Sequence, residues 1–306
     1  MFLLPFRAIN RGYASVEESM IALYSEMRSG MNHQPDLGQN PREAFDAVVN
    51  SYDVSRPEYP AGLFSDILNF ASFSSGKKAV EIGAGTGKAT LPFLHAGYDV
   101  TAIELGANMA NFLSTKFGEY KNFNVVVDSF EDAALEENHY DLLYAATAFH
   151  WVNAEIGCPK AFHLLTQSGT IALFRYNVVA ADGEKAYDEI QSIYERYYYS
   201  HYATNKRPVK KTTQDYLKPS EIKASFGFES LNDYGFSDVS MTFYNGSKTF
   251  TADEYIVNLN TISDHIGLPE RNRAALYHEI RKTIIKHGDC HKVDYLYQLY
   301  MGRKFV

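Results

Sequence analysis

The segment Ala79-Val80-Glu81-Ile82-Gly83-Ala84-Gly85-Thr86-Gly87 joins a short apolar strand to a turn with glycine at every second position. Alternate glycines let the backbone turn tightly and let a ligand approach where any Cβ would collide. Lys88-Ala89-Thr90-Leu91-Pro92-Phe93-Leu94 then reads as the opening of a helix. The free N–H groups of such a helix favour polar or anionic groups. Strand, glycine turn and helix in this order predict an α/β unit with a nucleotide-type pocket.

Spacing sorts the ligands that use such turns. A phosphate-cradling loop needs a glycine five positions before a Gly-Lys pair and a Ser or Thr after it. Ile82 and Ala89 occupy those places, so that reading fails. A dinucleotide fingerprint wants its third small residue three positions after the second glycine. Lys88 stands there, with Gly87 one place early, which leaves a dinucleotide as the second choice. A glycine turn serving only the fold is the competing reading. Downstream, residues 98–103 read as another buried strand that ends on Glu104, about 20 residues beyond the glycines, where a carboxylate can accept from both ribose hydroxyls.

The Glu-x-Gly-x-Gly-x-Gly pattern resembles the first motif of the class I S-adenosylmethionine-dependent methyltransferases. The resemblance runs from about residue 42 to residue 305 and is strongest over 45–176. It implies that Glu81, Gly83, Ala84, Gly85 and Gly87 pass the amino-acid end of the cofactor, with Glu104 and Leu105 at the ribose. Strand 123–127 ends in Asp128-Ser129-Phe130, where the resemblance puts the adenine, with Asp128 set for the exocyclic amine. The next strand, 140–146, ends at Ala146 and leads into Phe149-His150-Trp151, similar to the Phe-His-Trp of many small-molecule members. Ligands of open α/β sheets sit outside the carboxyl ends of the strands, so Ala146, Phe149 and Trp151 are expected over the reacting end. His150, with an ordinary pKa near neutrality, is the candidate catalytic base. A hydrogen-bonded histidine in the pocket wall is the alternative role. Upstream, the segment from Tyr52 to Pro60 resembles a family lid. There Arg56 can bind a carboxylate in bidentate fashion, and Tyr52 and Tyr59 offer rings with polar tips.

At 306 residues the chain can bury a sizeable core. A net charge of −8 argues against a general nucleic-acid binder, which carries a basic footprint. No apolar run approaches the roughly 20 residues of a membrane span. The start lacks a basic region ahead of its short apolar run, so no signal peptide is expected. Cys158 and Cys290 lie far apart without metal-ligand spacing and read as reduced thiols of a cytoplasmic protein.

Four regions are expected. Residues 1–41 form an N-terminal helical extension (15–28) and linker, and 42–177 form the cofactor-binding core. Residues 178–225 are a helical cap on the acceptor side, and 226–306 complete the sheet with helices. Strands are predicted at 79–82, 100–103, 124–127, 141–145 and 169–176, with helices between them. That alternation implies a parallel sheet wound by right-handed crossovers. Strands at 237–244 and 291–305 flank helices at 251–266 and 270–287. With the resemblance, the fold class is α/β. It is a Rossmann-like, seven-stranded, mostly parallel sheet with helices on both faces and an antiparallel last strand, plus the cap insertion. A helix over 183–202 carries Tyr197, Tyr198 and Tyr199, three consecutive rings that are not expected all to face inward. The basic stretch 206–211 follows. The implied activity is direct methyl transfer from S-adenosyl-L-methionine to a small-molecule acceptor, with no metal. A nicotinamide oxidoreductase and a non-catalytic cofactor-binding protein are the alternatives.

Overall fold

A computed structural model describes residues 49–71, 77–181, 184–201, 211–218, 228–262, 265 and 267–305. The expected extension 1–41, residues 42–48, most of the basic stretch 206–211 and the segment 219–227 lie outside the described residues. Two short helices open the described chain, α1 (Val49–Ser55) and α2 (Ala61–Ala71). Then β1 (Lys78–Ile82), α3 (Thr90–His95), β2 (Asp99–Glu104), α4 (Ala107–Lys116) and β3 (Phe123–Val127) alternate. The chain continues through β4 (Tyr140–Ala146), α5 (Ala154–Leu164) and β5 (Leu165–Val178). After β5 come α6 (Lys185–Tyr194), a π-helical turn (Glu195–Tyr199) and the single turn α7 (Thr213–Tyr216). The last elements are β6 (Phe236–Phe250), α8 (Ala252–Leu259), α9 (Glu270–Lys286) and β7 (His291–Lys304).

The seven strands form one sheet in the order β3-β2-β1-β4-β5-β7-β6. The pairs from β3 to β5 are parallel, and β7 runs antiparallel to both β5 and β6. This is the mostly parallel sheet with a reversed last strand that the alternation and the resemblance predict. The strand order reverses between β1 and β4, which opens a crevice at their carboxyl ends.

The strands at the centre are near-continuous apolar runs because both faces are covered. All of β4 except its last residue is buried. One apolar cluster packs α2, α3 and α4 on one face through Leu63, Phe93, Leu113 and Phe117. A second packs α5 on the other face through Cys158, Ala161 and Leu164. A third joins α6, α8 and α9 through Ile190, Leu259, Leu276 and Ile280. Thr251 and Glu254 close a capping box at the start of α8, and Asp253 and Glu254 lie in its first turn as expected.

The helix expected over 183–202 is described from Lys185 and changes its winding at Glu195. The wider π turn alters which side chains face inward. Tyr197, Tyr198 and Tyr199 are each half-buried and none is fully enclosed. Tyr198 and Tyr199 pack edge-on, and Tyr194 and Tyr198 contact the ring of His265. Among the described residues, no helix is long and apolar enough to cross a membrane.

Candidate functional site

The glycine turn takes the backbone that only glycine adopts easily. Gly83, Gly85 and Gly87 have φ of +62°, +58° and +77°. Their reasons differ. A Cβ on Gly83 would come within 2.6 Å of the Ala148 methyl, so the chain leaving β4 lies directly on the turn. A Cβ on Gly87 would strike the Phe117 ring at 2.3 Å, so this glycine serves helix packing. Gly85 has nothing within 4 Å of an added Cβ and borders open space in the cleft.

Two backbone turns meet on one carboxylate. Glu104, at the end of β2, accepts from the Gly85 N–H at 2.7 Å and from the Gly106 N–H at 3.0 Å. These charge-assisted bonds fix the glycine turn against the turn after β2. Glu104 and Leu105 line the cleft, as do Gly83 and Gly85.

Glu81 behaves differently. It is 1% exposed, and its Oε2 accepts from the Thr90 hydroxyl at 2.6 Å and the Tyr144 hydroxyl at 2.9 Å. Burial pushes its carboxyl up to about 8, against the two hydroxyl donors that favour the charged form. Its Oε1 is buried without a hydrogen-bond partner. Glu81 ties β1 to α3 and β4 from behind the cleft surface. Gly87 and Phe149 also stand behind that surface, Phe149 against the Phe130 ring. The side chains of Glu81 and Phe149, and the space a Cβ on Gly87 would need, belong to core packing behind the cleft wall.

The segment from α1 to Pro60 straps across the opening. Arg56 lies over the Tyr52 ring, 4.6 Å from its centroid. Its Nη2 donates to the Thr261 carbonyl at 2.8 Å and its Nη1 to the Tyr176 hydroxyl at 3.4 Å. Its Nε is buried with no hydrogen-bond partner, and among the described residues no carboxylate pairs with the guanidinium. Tyr59 shares a 2.7 Å hydrogen bond with the Thr147 hydroxyl and packs edge-on against Phe174. Burial raises the Tyr52 phenol and raises that of Tyr59 well above its ordinary value, so both stay neutral near pH 7. Outer contacts hold the strap: Lys88 pairs with Glu58, Lys116 with Asp53 at 3.1 Å, and the Tyr297 hydroxyl donates to the Glu58 carbonyl at 2.8 Å.

The opposite wall comes from the ends of β3 and β4. Asp128, Ser129 and Phe130 line the cleft beside Met109, and His150 and Trp151 line it further along. Ala84, Tyr59 and Ala146 line its inner part behind Arg56. Ser129 also starts a tight turn, donating to Asp132 at 2.7 Å. Thr147 holds φ of +54°, a strained conformation for a β-branched residue, and it faces both parts of the cleft.

Thirteen of the sixteen residues singled out as cofactor contacts thus meet around one cleft, together with the candidate base His150, while Glu81, Gly87 and Phe149 back it. Sequence reading missed Thr147, Tyr176, Met109 and Thr261. Tyr176 was within reach, because it sits at the carboxyl end of β5. Thr261 contributes a backbone carbonyl, which no side-chain pattern announces.

Residues 80–173 match the methyltransferase domain family. An uncharacterized methyltransferase of Mycobacterium bovis is 27% identical over 130 residues, 42% of this chain. That match spans about half (51%) of the mycobacterial protein's length. An uncharacterized methyltransferase-like protein of Schizosaccharomyces pombe is 25% identical over 263 residues, 84% of this chain and 93% of its own. Among solved structures, a protein of Anaeromyxobacter dehalogenans provisionally named a type II methyltransferase superposes with a TM-score of 0.55. It is 17% identical, over 82% of this chain and 97% of its own, a likeness of fold. The matched domain, the strand order and the glycine turn clamped by Glu104 agree, and together they support a class I S-adenosylmethionine-dependent methyltransferase.

Proposed function

We propose that this chain transfers the methyl group of S-adenosyl-L-methionine to a small-molecule acceptor. The observation that carries the reading is Arg56: a buried guanidinium with no carboxylate partner among the described residues faces the same cleft as Glu104. A ligand with a free carboxylate at one end and a ribose diol at the other satisfies both. The open space beside Gly85 fits the close approach of that ligand. Arg56, Tyr52, Gly83, Gly85 and Ala84 would hold the amino-acid end, Glu104 and Leu105 the ribose, and Asp128, Ser129 and Phe130 the adenine. Bound there, the donor supplies an electrophilic sulfonium methyl.

The chain's own contribution is geometry and exclusion of water. Tyr52 and Tyr59, both neutral at pH 7, and Tyr176 surround Arg56 and present ring faces and hydroxyls to the reacting end. Holding acceptor and methyl in line supplies most of the acceleration such a transfer needs. His150 is the candidate base for an acceptor that must lose a proton. Its place on the cleft wall beside Trp151, with ring centroids 5.1 Å apart, suits a wall residue equally. We read residues 178–225 as the acceptor-side cap and 42–177 as the donor-binding core. The net charge of −8 supports a small-molecule acceptor over general nucleic-acid binding.

Calorimetric titration tests the donor. Binding of S-adenosylmethionine and its demethylated product, with no heat from NAD(H), is expected. Tight NAD(H) binding without a response to S-adenosylmethionine overturns the reading in favour of an oxidoreductase. Donor binding without methylated product across a broad acceptor screen leaves a cofactor-binding protein.

A further inference from the structure

The strap that carries Tyr52 and Arg56 is itself held from the far edge of the sheet. Lys248, on β6, sends its ammonium to three successive carbonyls: Val54 at 2.5 Å, Ser55 at 3.0 Å and Arg56 at 3.3 Å. Those carbonyls are the exit of α1, where helical C=O groups lack intrahelical partners and the helix dipole favours a cation. An ammonium has three donors and no acceptor, so one side chain fits all three.

The acids around Lys248 are engaged elsewhere. Glu58 pairs with Lys88, Asp53 with Lys116, and Glu254 closes the capping box of α8. The Val54 side chain is itself 70% exposed, while Ser55 beside it is buried. At its other end Arg56 reaches Thr261. Its backbone and its guanidinium are therefore held by two elements late in the chain, and the direction of the guanidinium depends on both.

We infer that Lys248 is a positioning residue for donor binding, which sets the exit of α1 and so aims Arg56 into the cleft. Lys248 lines neither part of the cleft and acts only through Arg56. The inference rests on the donor reading given above.

The test is a double-mutant cycle read by calorimetry with S-adenosylhomocysteine, on wild type, Lys248→Met, Lys248→Arg, Arg56→Met and the Lys248→Met/Arg56→Met pair. Lys248→Met is expected to weaken binding about tenfold, the scale of a lost charge-assisted hydrogen bond. Lys248→Arg restores most of the affinity, because a guanidinium also donates to several carbonyls. In the Arg56→Met background Lys248→Met costs less than about twofold, since the residue it acts through is gone. Lys248→Gln, which keeps two donors without the charge, replaces the methionine variant if that one does not fold. Wild-type affinity in Lys248→Met, or a full tenfold loss that persists in the double variant, overturns the inference alone. A wild-type protein that does not bind S-adenosylhomocysteine overturns the donor reading and this inference together.

Discussion

The two sides of the cleft are built on different principles. On the side of β1 and β2 the parts are close in sequence: Glu104 clamps Gly85 across 19 residues, and Gly83 donates to the Ile103 carbonyl at 2.9 Å. On the strap side the parts are remote. Arg56 meets Thr261 across 205 residues, and Lys248 meets Val54 across 194. A pocket wall made by one strand–turn–helix unit is written in a short motif. A wall made by strapping one segment across several elements is written nowhere in particular.

The local wall is most vulnerable at Gly85. Gly85→Val puts a β-branched side chain into the open space and into a left-handed backbone, with strain of about 1–3 kcal/mol. We expect S-adenosylhomocysteine affinity to fall by about 100-fold or more, roughly 3 kcal/mol, in calorimetry. Near-normal affinity would mean that the local wall serves only the fold.

Arg56→Met probes the remote wall. Removing a charged donor that faces an anionic group costs about 2 kcal/mol, or some 30-fold in donor affinity, with little change in melting temperature. An unchanged affinity would make the strap a structural element and not a ligand-binding one.

Glu81 sharpens the contrast from behind. Its folded carboxyl is raised to about 8 from an ordinary 4.5, so the folded protein holds a proton that the unfolded chain releases between those values. Stability from this group is therefore greatest at pH 4.5 and below, and falls as the pH rises toward 8. We expect a loss of about 2 kcal/mol between pH 6 and pH 8 in urea unfolding, and a flatter profile for Glu81→Gln. An equally steep profile in the glutamine variant would assign the slope to other groups. The smallest effect belongs to Tyr59→Phe, which deletes one hydrogen bond to Thr147 and is expected to cost about 1 kcal/mol in thermal unfolding.

Legibility followed the same division. Continuous apolar runs gave the parallel strands β1 to β5 near their observed places, and two-residue alternation gave β6 and β7, although β6 runs on to Phe250, past the expected end at residue 244. The glycine spacing located the local wall, and Glu104 followed from its distance to it. Two kinds of feature escaped. Glu81 sits in the motif yet turns inward, because Thr90 and Tyr144 offer it buried donors that a linear pattern does not reveal. The carbonyl of Thr261 and the ammonium of Lys248 depend on how β6 and α8 fold back over α1. The π turn at Glu195 escaped for a related reason: a run of tyrosines specifies neither its winding nor the aromatic neighbours that half-bury all three rings.

The place of β7 carries a consequence for how the protein is made. It follows β6 in the chain but lies between β5 and β6, and it is the strand to which β6 is hydrogen-bonded within the sheet. Until His291–Lys304 has been synthesised and inserted, β5 presents a long apolar edge and β6 has no place to dock. Unpaired edges of that kind recruit other chains. Slow synthesis or a premature stop between β6 and β7 would therefore burden the cell with a sticky, half-closed sheet. The glycine turn and the wall built by β1 and β2 would already be assembled, but the strap, held by Lys248 on β6 and Tyr297 on β7, would not be fixed over the cleft until the last strand arrives.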